Sequence, residues 1–318
     1  MAPNNILITG ANGFVGRAVC AELLAENYAV MGAVRTGDHQ AEGIKQIVVG
    51  SIDASTDWSE ALRRADVVIH LAARVHVMND HSSDPLTEFR RVNVDGSLNL
   101  AKQAALAGVK RLIYLSSVKV NGEYTLSGHP FKESDVSNPQ GAYGLSKLEA
   151  EQGLLLIAQE TGMEVVIIRP PLVYGQGVKA NFASMMRAVK RRIPLPLGAI
   201  HNNRSFVYVG NLVSLIATCI HQPAAANQVF LVSDGSDLST TQLLQASATA
   251  LGVKSRLWPI PQGSIEGLAA LVGKRDLAQR LCGNLQVDIS KAQKLLGWTP
   301  LIPVADGLKA TALAFKQH

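Results

Sequence analysis

The chain has 318 residues, a formal net charge of +5 and an apolar fraction of 47%. This length fits one large domain or two modest ones, with enough apolar residues for a sizeable core. The sequence shows neither the layout of a signal peptide nor an apolar run that could cross a bilayer, so we expect a cytoplasmic protein without a membrane partner. The modest, scattered charge excludes nucleic acid as an expected partner. We expect Cys20, Cys219 and Cys282 to be reduced cysteines that pack in the interior, and we predict no metal site.

The first predicted strand ends at Thr9, and glycines follow at positions 10, 13 and 16 before a helical pattern begins. Gly10 permits a tight turn, Gly13 lets a diphosphate approach the backbone, and Gly16 lets helix and strand pack closely. The free N–H groups of the helix N-terminus favour the same diphosphate. An ordinary strand–helix turn is the alternative, but the position at the first junction favours a dinucleotide site.

Strand and helix patterns alternate over the first half, which predicts βαβ units and a parallel sheet. Further strands are predicted at Tyr28–Val34, Gln46–Gly50, Val67–Leu71, Arg111–Ser116 and Glu164–Arg169, and helices at Asp57–Arg64, Pro85–Ala107 and Tyr143–Thr161. Frequent prolines after Arg169 indicate a domain boundary near residue 170. We expect a dinucleotide-binding domain over residues 1–170 and a substrate domain over 171–318, with about 206–232 a candidate for returning to the first domain.

The end of the second strand indicates which dinucleotide is preferred. A carboxylate there would bind the ribose hydroxyls and repel a 2′-phosphate. The segment 32–37 has no acid, and Arg35 can pair with a phosphate, although a surface arginine is the alternative. We therefore predict NADP(H) as the preferred coenzyme and NAD(H) as the other candidate. Asn93, inside a helical window, is expected either to bond a neighbouring strand and hold the site or to mark a kink.

Three residues form the predicted catalytic group. Ser117 follows the strand that ends at Ser116, so it lies at the ligand-binding edge of the sheet. Tyr143 and Lys147 are four residues apart and share one helix face. The ammonium is expected to lower the pKa of the phenol, so that Tyr143 moves a proton on or off an alcohol or ketone oxygen while Ser117 orients that oxygen.

These landmarks resemble the extended short-chain dehydrogenases/reductases that act on nucleotide sugars. The resemblance covers nearly the whole chain and rests on Thr9–Gly16, His70–Ala73, Asn93, Ser116–Ser117, Tyr143–Lys147, Arg169–Gly175, Asn203–Leu212, Asp288–Ala292 and Leu296–Pro300. It implies a Rossmann-type doubly wound parallel sheet in the α/β class, with a smaller C-terminal α/β substrate domain. It also implies a homodimer formed through the helices around Asp95–Ala107 and Tyr143–Thr161.

The resemblance extends the candidate site. The implied coenzyme contacts are Gly10, Asn12, Gly13, Phe14, Val15, Gly16, Arg35, Ser51, Ile52, Leu71, Ala72, Ala73, Asn93, Tyr143, Lys147 and Pro170. The implied substrate contacts are Ser117, Asn203 and Arg204, with Arg204 on a phosphate. The segment 258–284 is expected either to cover the nucleotide or to be a surface helix pair.

The departures from the family pattern narrow the expected reaction. Val118 and Lys119 replace the acid pair of the 4,6-dehydratases, which argues against dehydration. Further departures are Ser51 for an acidic residue, Asn121 for a tyrosine and Leu172 for an asparagine. We therefore expect NAD(P)H-dependent reduction of the 4-keto group of a nucleotide-linked deoxy sugar, with UDP the expected nucleotide, in surface polysaccharide biosynthesis. The alternatives are a UDP-sugar 4-epimerase with tightly bound NAD, an NADP-dependent reductase of a non-sugar ketone, and a non-catalytic NADP sensor.

Overall fold

The computed structural model describes residues 5–37, 44–75, 84–271 and 273–316. The strands in these residues are Asn5–Thr9 (β1), Ala29–Val34 (β2), Lys45–Val48 (β3), Val67–His70 (β4), Arg111–Leu115 (β5), Glu164–Arg169 (β6), Leu172–Tyr174 (β7), Phe206–Tyr208 (β8) and Gln228–Leu231 (β9). Seven of them form a parallel sheet in the order β3-β2-β1-β4-β5-β6-β9, and β7 pairs with β8 separately. The predicted doubly wound parallel sheet is therefore confirmed, and each predicted strand lies within two residues of its observed bounds.

The helices cover both faces of this sheet. Those described are Phe14–Ala25 (α1), Ser59–Leu62 (α2), Pro85–Arg90 (α3), Gly96–Leu106 (α4), Ala142–Thr161 (α5), Ala180–Lys190 (α6), Val209–His221 (α7), Thr240–Leu251 (α8), Gln262–Leu271 (α9), Arg275–Cys282 (α10), Ser290–Leu296 (α11) and Val304–Lys316 (α12). Ile6 and Ile8 of β1 pack with α1 and α7, whereas Leu7 packs with α4 and α5 on the opposite face. Burial on both faces explains why the strands are nearly continuous apolar runs.

The predicted helix Pro85–Ala107 is interrupted in the structure. A π-helical turn at Arg91–Asp95 separates α3 from α4. Asn93 lies in this turn, and its side chain bonds to the main chain of Arg74, just beyond β4. A residue that bonds outside its own helix fits a local widening of the backbone, which is common at functional sites.

The remaining elements lie on the C-terminal side of the sheet. α6, α8 and α12 pack around a separate apolar cluster that includes Tyr174, Met186 and Leu244. The chain returns to the main sheet through α7, which packs on α1, and through β9, which pairs with β6. The division into domains near residue 170 stays a prediction. Cys20, Cys219 and Cys282 are buried and carry free thiols. Among the residues described, no helix is both long and apolar enough to span a bilayer.

Candidate active site

The sheet brings most of the predicted site residues to one edge. All seven strands are parallel, so their C-terminal ends lie side by side, where ligands bind in open α/β sheets. Gly10 follows β1, Arg35 follows β2, Leu71 follows β4 and Pro170 follows β6. Ser117 comes two residues after β5. The structure therefore gathers residues from distant parts of the sequence into one row.

The three glycines have the geometry that a dinucleotide loop requires. Gly10 has φ of +68°, and a Cβ at this position would lie 2.9 Å from the amide nitrogen of Ala72. A Cβ at Gly16 would lie 2.1 Å from the carbonyl oxygen of Gly10, so only glycine lets α1 pack this closely on the turn. Gly13 precedes α1 and offers no capping side chain, which leaves the helix N–H groups available to an anion. The residues present therefore fit the diphosphate of a dinucleotide.

The adenosine end of the predicted site lies at β2 and β3. Arg35 is exposed immediately after β2, and Ser51 is exposed in the loop after β3. The Thr56 hydroxyl donates to the carbonyl oxygen of Ser51 at 2.9 Å. Ile52 lies against Gly96, where a Cβ would come within 2.6 Å of the Ile52 side chain. This close contact fixes the loop against α4.

Asn93 connects the end of β4 to the helix that carries the tyrosine. Its Oδ1 accepts from the Arg74 amide at 2.8 Å, and its Nδ2 donates to the Arg74 carbonyl and to the Ser146 hydroxyl, each at 3.0 Å. The Ser146 hydroxyl in turn donates to the carbonyl of Tyr143 at 2.9 Å. Asn93 thus lies in an irregular turn, as one expectation has it, and it bonds the main chain of the segment after β4 rather than a strand; its role at the coenzyme site stays a prediction.

Ser117 and Tyr143 meet across the junction between β5 and α5. The Ser117 hydroxyl lies close enough to the Tyr143 phenol to lower its pKa, and Ser117 Oγ accepts from the amide of Lys119 at 3.2 Å. Gly144 makes this approach feasible, because a Cβ there would lie 2.8 Å from the carbonyl oxygen of Lys119. Phe89 of α3 packs edge-on against the Tyr143 ring at 6.0 Å between centroids. The phenol is thus oriented from two sides.

The expected lowering of the Tyr143 pKa is wrong for the chain alone. Burial raises the pKa of Tyr143 to about 12, and the nearby Ser117 hydroxyl lowers it by less than burial raises it. Lys147 lies one turn further along α5, but its Nζ donates to the carbonyl of Leu115 at 2.9 Å and to the hydroxyl of Tyr114 at 3.1 Å. Tyr143 and Lys147 do share one face of α5, as their spacing predicts, but spacing does not indicate how deeply a side chain is buried.

Lys147 is among the largest fully buried side chains described. Burial lowers its pKa to about 7, while the carboxylate of Glu151 raises it. Its Nζ lies 4.4 Å from the centroid of the Tyr114 ring. The ammonium is therefore held at the end of β5 with part of its charge dispersed on an aromatic ring.

A buried ion pair lies directly beneath Lys147. Glu151 and Arg169 are almost completely buried, and Arg169 Nη2 donates to Glu151 Oε2 at 2.5 Å. The Ser116 hydroxyl donates to the same carboxylate. Arg169 Nη1 donates to Asn121 Oδ1 at 3.1 Å, so Asn121 completes this buried network. The departure at Asn121 thus has a structural role.

Arg204 lies opposite the loop that follows Ser117. Its Nη1 donates to the carbonyl of Gly283 at 3.0 Å. Burial lowers the pKa of Arg204, and the charge of Glu123 on the Ser117 loop raises it. Asn203 is exposed and bonds Leu285 through its main chain. The structure therefore places Arg204 near the catalytic loop, whereas contacts of either side chain with substrate stay predictions.

The departure at Lys119 also has a visible partner. Lys119 Nζ lies 2.7 Å from Glu123 Oε1, so a cation occupies the place of a dehydratase acid and is neutralised by its own loop.

The segment 258–284 is a helix pair formed by α9 and α10. Asn202 donates to the carbonyls of Leu281 and Gly283, which fastens the end of that pair beside Arg204. Whether the pair covers a nucleotide stays a prediction.

Comparison with known proteins identifies the family. The profile of the NAD-dependent epimerase/dehydratase family matches residues 6–233, well over half of the chain. The chain belongs to that family. The protein is therefore an enzyme of the extended short-chain dehydrogenase/reductase type, as its catalytic landmarks predicted, and its activity is of the nucleotide-sugar epimerase/dehydratase kind. NAD(H) is the coenzyme of this family.

Individual proteins that are similar to this chain agree with its assignment to the family. The chain is similar to a UDP-glucose 4-epimerase of Vibrio cholerae, with 51% identity over 317 residues, 99% of this chain and 96% of the relative. It is also similar to the solved UDP-glucose 4-epimerase of Thermotoga maritima with UDP-glucose, at a TM-score of 0.78 and 24% identity over 98% of this chain and 99% of the other. The solved UDP-glucose 4-epimerase of Thermus thermophilus with NAD has a TM-score of 0.78 to this chain and 23% identity, over 98% of this chain and 99% of the other. The two structural likenesses confirm the Rossmann fold.

Sequence reasoning missed several buried polar residues around Lys147. Tyr114, Ser97 and Glu151 stand in no recognised motif, and His70 stands only within a stretch that resembles the family. The signals were present, since Glu151 follows Lys147 by four residues and His70 ends an otherwise apolar strand. Their partners lie far apart in sequence, so the contacts became visible only in the folded chain.

Proposed function

We propose that this protein is a UDP-sugar 4-epimerase that keeps NAD(H) bound between turnovers. The observation that carries the proposal is that Ser117 and Tyr143 lie close together at the coenzyme edge of the sheet, where α5 also holds buried Lys147. This group suits proton transfer at a secondary alcohol. The relative from Vibrio cholerae, named a UDP-glucose 4-epimerase, matches this chain over almost its full length. The expected 4-keto reductase is thereby less well supported than its epimerase alternative.

The side chains have complementary tasks in this reaction. The glycine loop at Gly10, Gly13 and Gly16 and the ammonium of Lys147 would hold NAD(H), which would supply reversible hydride transfer at C4 of the sugar. Tyr143 as phenolate takes the proton from O4 and gives it back in the reverse step, so the overall reaction is redox-neutral. Ser117 donates a hydrogen bond to O4 and keeps it beside the phenol. Lys147 places a positive charge near Tyr143 and binds the nicotinamide ribose.

The nucleotide end of the substrate is assigned to the Arg204 region. Arg204 lies across from Glu123, and a diphosphate would offer its guanidinium a stronger, doubly charged partner than the single carbonyl that it now contacts. Asn203 is exposed beside it. The structure of the Thermotoga maritima relative was determined with UDP-glucose, which is consistent with a UDP-linked substrate here.

A second candidate is NADPH-dependent reduction of a 4-keto UDP sugar. The observation that favours it is Arg35, which is exposed directly after β2, where the described residues 32–37 include no carboxylate to repel a 2′-phosphate. This candidate needs coenzyme exchange at every turnover. It also retains the expected role in surface polysaccharide synthesis, which stays a prediction together with the cytoplasmic location.

A homodimer through α4 and α5 is part of the proposal. Leu106 of α4 is 89% exposed and Leu156 of α5 is 54% exposed, so both helices present apolar side chains to solvent. Sedimentation velocity of the wild type and of Leu156→Glu tests this point. A dimer that becomes a monomer on substitution supports the assignment, and a monomeric wild type contradicts it.

The direct test is to incubate the purified protein with UDP-glucose and with UDP-N-acetylglucosamine, without added coenzyme, and to follow the anomeric protons by NMR. The proposal predicts conversion of at least one sugar to its C4 epimer, and loss of that conversion in Tyr143→Phe. If neither sugar is converted while the protein oxidises NADPH with a 4-keto-6-deoxy UDP sugar, the second candidate replaces the first.

A further inference from the structure

Ser117 lies between two main-chain hydrogen bonds that join its loop to the end of β6. The amides on either side of it, those of Ser116 and Val118, donate at 2.8 and 2.9 Å to the carbonyls on either side of Arg169. This is the bonding pattern of parallel strands, continued beyond the last residue of β5. The main chain therefore fixes the loop to the sheet, with Arg169 at the centre of the contact.

The side chain of Arg169 extends this contact to α5. Its Nε and Nη2 donate to the carboxylate of Glu151 at 3.0 and 2.5 Å. The hydroxyl of Ser116 donates to the same carboxylate. An ionised carboxylate can accept all of these bonds, because its two oxygens offer about four lone-pair sites. One carboxylate on α5 therefore binds both the residue before Ser117 and the arginine beside it on β6.

A second contact from α5 reaches the neighbouring residue of β5. Lys147 Nζ donates to the carbonyl of Leu115 at 2.9 Å. Glu151 lies one helical turn beyond Lys147 and accepts from Ser116. Two successive residues are thus tied to two successive turns of one helix. Both bonds set the position of Ser117, which comes next in the chain, relative to that helix.

The same guanidinium also holds the far end of the Ser117 loop. Arg169 Nη1 donates to Asn121 Oδ1 at 3.1 Å. Asn121 closes the 3₁₀ turn that follows Ser117, because its amide donates to the carbonyl of Val118 at 2.9 Å. Its Nδ2 donates to the carbonyl of Lys132 at 3.0 Å, so its own side chain is fixed as well. The loop is therefore held at both ends by one rigid fork of donors.

Four polar side chains thus form one buried group, the Ser116 cluster. Its members are Ser116, Asn121, Glu151 and Arg169, each at most 5% exposed. Bulk water does not reach a buried polar group that loses its partner, so the loss of one member weakens the hold of the others. In the described structure the side chain of Ser117 bonds to no member of the cluster, and its Oγ accepts from the amide of Lys119. The cluster can therefore act on Ser117 only through the position of the loop.

We propose that the Ser116 cluster is a set of positioning residues, which hold Ser117 where its hydroxyl meets the reacting oxygen beside Tyr143. The inference rests on the proposed function only in taking Ser117 as the residue that orients this oxygen. A displacement of about 1 Å in a catalytic group can lower the rate by about 100-fold, so a loosened loop costs activity even when the protein stays folded. Residues that only stabilised the fold would change the amount of folded enzyme and leave its kcat unchanged.

The first test follows the loop by hydrogen–deuterium exchange of nucleotide-free protein. Ser116→Ala removes the hydroxyl that binds the carboxylate on α5. We expect it to speed exchange of residues 117–123 by about 10-fold or more, as for the loss of one hydrogen bond to a charged group, and to leave exchange in α7 unchanged. Asn121→Ala, which removes the acceptor at the far end of the loop, gives the same test if Ser116→Ala does not fold. Unchanged exchange of residues 117–123, or equal acceleration in the loop and in α7, overturns the proposal.

The second test is a double-mutant cycle in kcat, measured for whichever reaction the wild type performs, epimerisation or NADPH-dependent reduction. Ser116→Ala should lower kcat by about 10-fold and change KM by less than about threefold. In the Ser117→Ala background the same substitution should change kcat by less than about twofold, because the hydroxyl that it displaces is already absent. Equal losses in both backgrounds overturn the proposal, since a residue that does not act through Ser117 has the same effect with and without its hydroxyl.

Ser247→Ala is the matched control. Ser247 lies in α8, is fully buried, and its hydroxyl has no hydrogen-bond partner in the described structure. It should keep both the kcat of the wild type and the slow exchange of residues 117–123. A fall in kcat as large as that of Ser116→Ala would overturn the assignment to the loop, because the loss of any buried hydroxyl would then have this effect. The exchange measurement uses neither substrate nor coenzyme, so failure of the inference is distinguishable from failure of the epimerase proposal.

Discussion

The Nζ of Lys147 lies 2.9 Å from the carbonyl oxygen of Leu115, so the catalytic ammonium is anchored to the last residue of β5. Burial lowers the pKa of this ammonium to about 7, below its ordinary value of 10.5. The unfolded chain therefore binds more protons than the folded chain between pH 7 and 10.5. Lys147 therefore makes the free energy of unfolding rise as the pH rises from 7 to 10.5. Below pH 7 the folded chain carries the full destabilisation from the buried charge of Lys147.

This cost predicts that Lys147→Met inactivates the enzyme while stabilising the nucleotide-free fold. We expect a gain of about 1–3 kcal/mol in the free energy of unfolding at pH 6, because replacing a buried charge with an apolar group is often stabilising. The gain should shrink towards pH 10. Urea unfolding of both proteins at several pH values measures it. Equal stability differences at pH 6 and pH 10 would contradict the account.

Ser117→Ala tests the serine without changing the fold. The nearby Ser117 hydroxyl lowers the pKa of Tyr143, so its removal should raise that pKa further above its ordinary value. We expect kcat to fall by about 10–1000-fold, the range seen when one donor to a reacting oxygen is lost. The acid limb of the pH–rate profile should move to higher pH. Ser117→Thr keeps a hydroxyl and should retain more activity than Ser117→Ala.

Gly144→Ala tests the close approach between α5 and the Ser117 loop. The added Cβ would lie 2.8 Å from the carbonyl oxygen of Lys119, which is main chain and must move as a whole. We expect a loss of about 10-fold or more in kcat, because small displacements of catalytic groups have large effects. Gly153→Ala on the same helix is the control, since its Cβ would meet the end of the Leu98 side chain, which can rotate. Comparable losses in both variants would contradict this explanation.

The outline of this fold was predictable because local patterns decide it. The strands β1 to β6 are short, mostly apolar runs, and their parallel direction follows from the alternation with helices. The sequence could not predict that a π-helical turn at Asn93 would interrupt the helix, because the side chain of Asn93 bonds to Arg74, which lies outside that helix. The Tyr143 pKa was predicted in the wrong direction, because a shared helix face with Lys147 says nothing about burial.

Glu151 and Arg169 form a buried ion pair, so we predict that the effects of substituting them on the free energy of unfolding are not additive. Glu151→Leu alone leaves a buried guanidinium without its carboxylate, and we expect a loss of about 3–5 kcal/mol in stability. The double variant Glu151→Leu with Arg169→Met should lose less than either single variant. Chemical unfolding of the full cycle measures the coupling. Additive losses would show that the two side chains do not act as a pair.

These long-range partners also explain why part of the site escaped sequence analysis. Arg169 ends a strand that reads as a plain apolar run, and Asn121 stands in a loop after Ser117. Nothing local indicates that they meet each other and Glu151. The glycine loop and Ser117, Tyr143 and Lys147 were recognisable because each carries its chemistry within a few residues.

The preference for NADP(H) over NAD(H) depends on Arg35. Its exposed guanidinium after β2 would bind a 2′-phosphate, whereas NAD(H) does not need it. Arg35→Ala should weaken NADPH binding by about 10-fold or more and change NADH binding by less than about threefold, as expected for the loss of a charge-assisted contact. Fluorescence titration of nucleotide-free protein measures both. An equal loss for both coenzymes would place Arg35 outside the 2′-phosphate site.

The most direct test of the central claim is the fate of the hydrogen at C4. UDP-glucose and UDP-N-acetylglucosamine that carry deuterium at C4 are each incubated with the purified protein in ordinary water, and the products are analysed by mass spectrometry and NMR. The account predicts that at least one of them gives a C4 epimer that retains deuterium at C4, because that hydrogen leaves and returns within one site while only the O4 proton passes through Tyr143. Product that has lost the deuterium to water, or recovery of both substrates without inversion at C4, would contradict it.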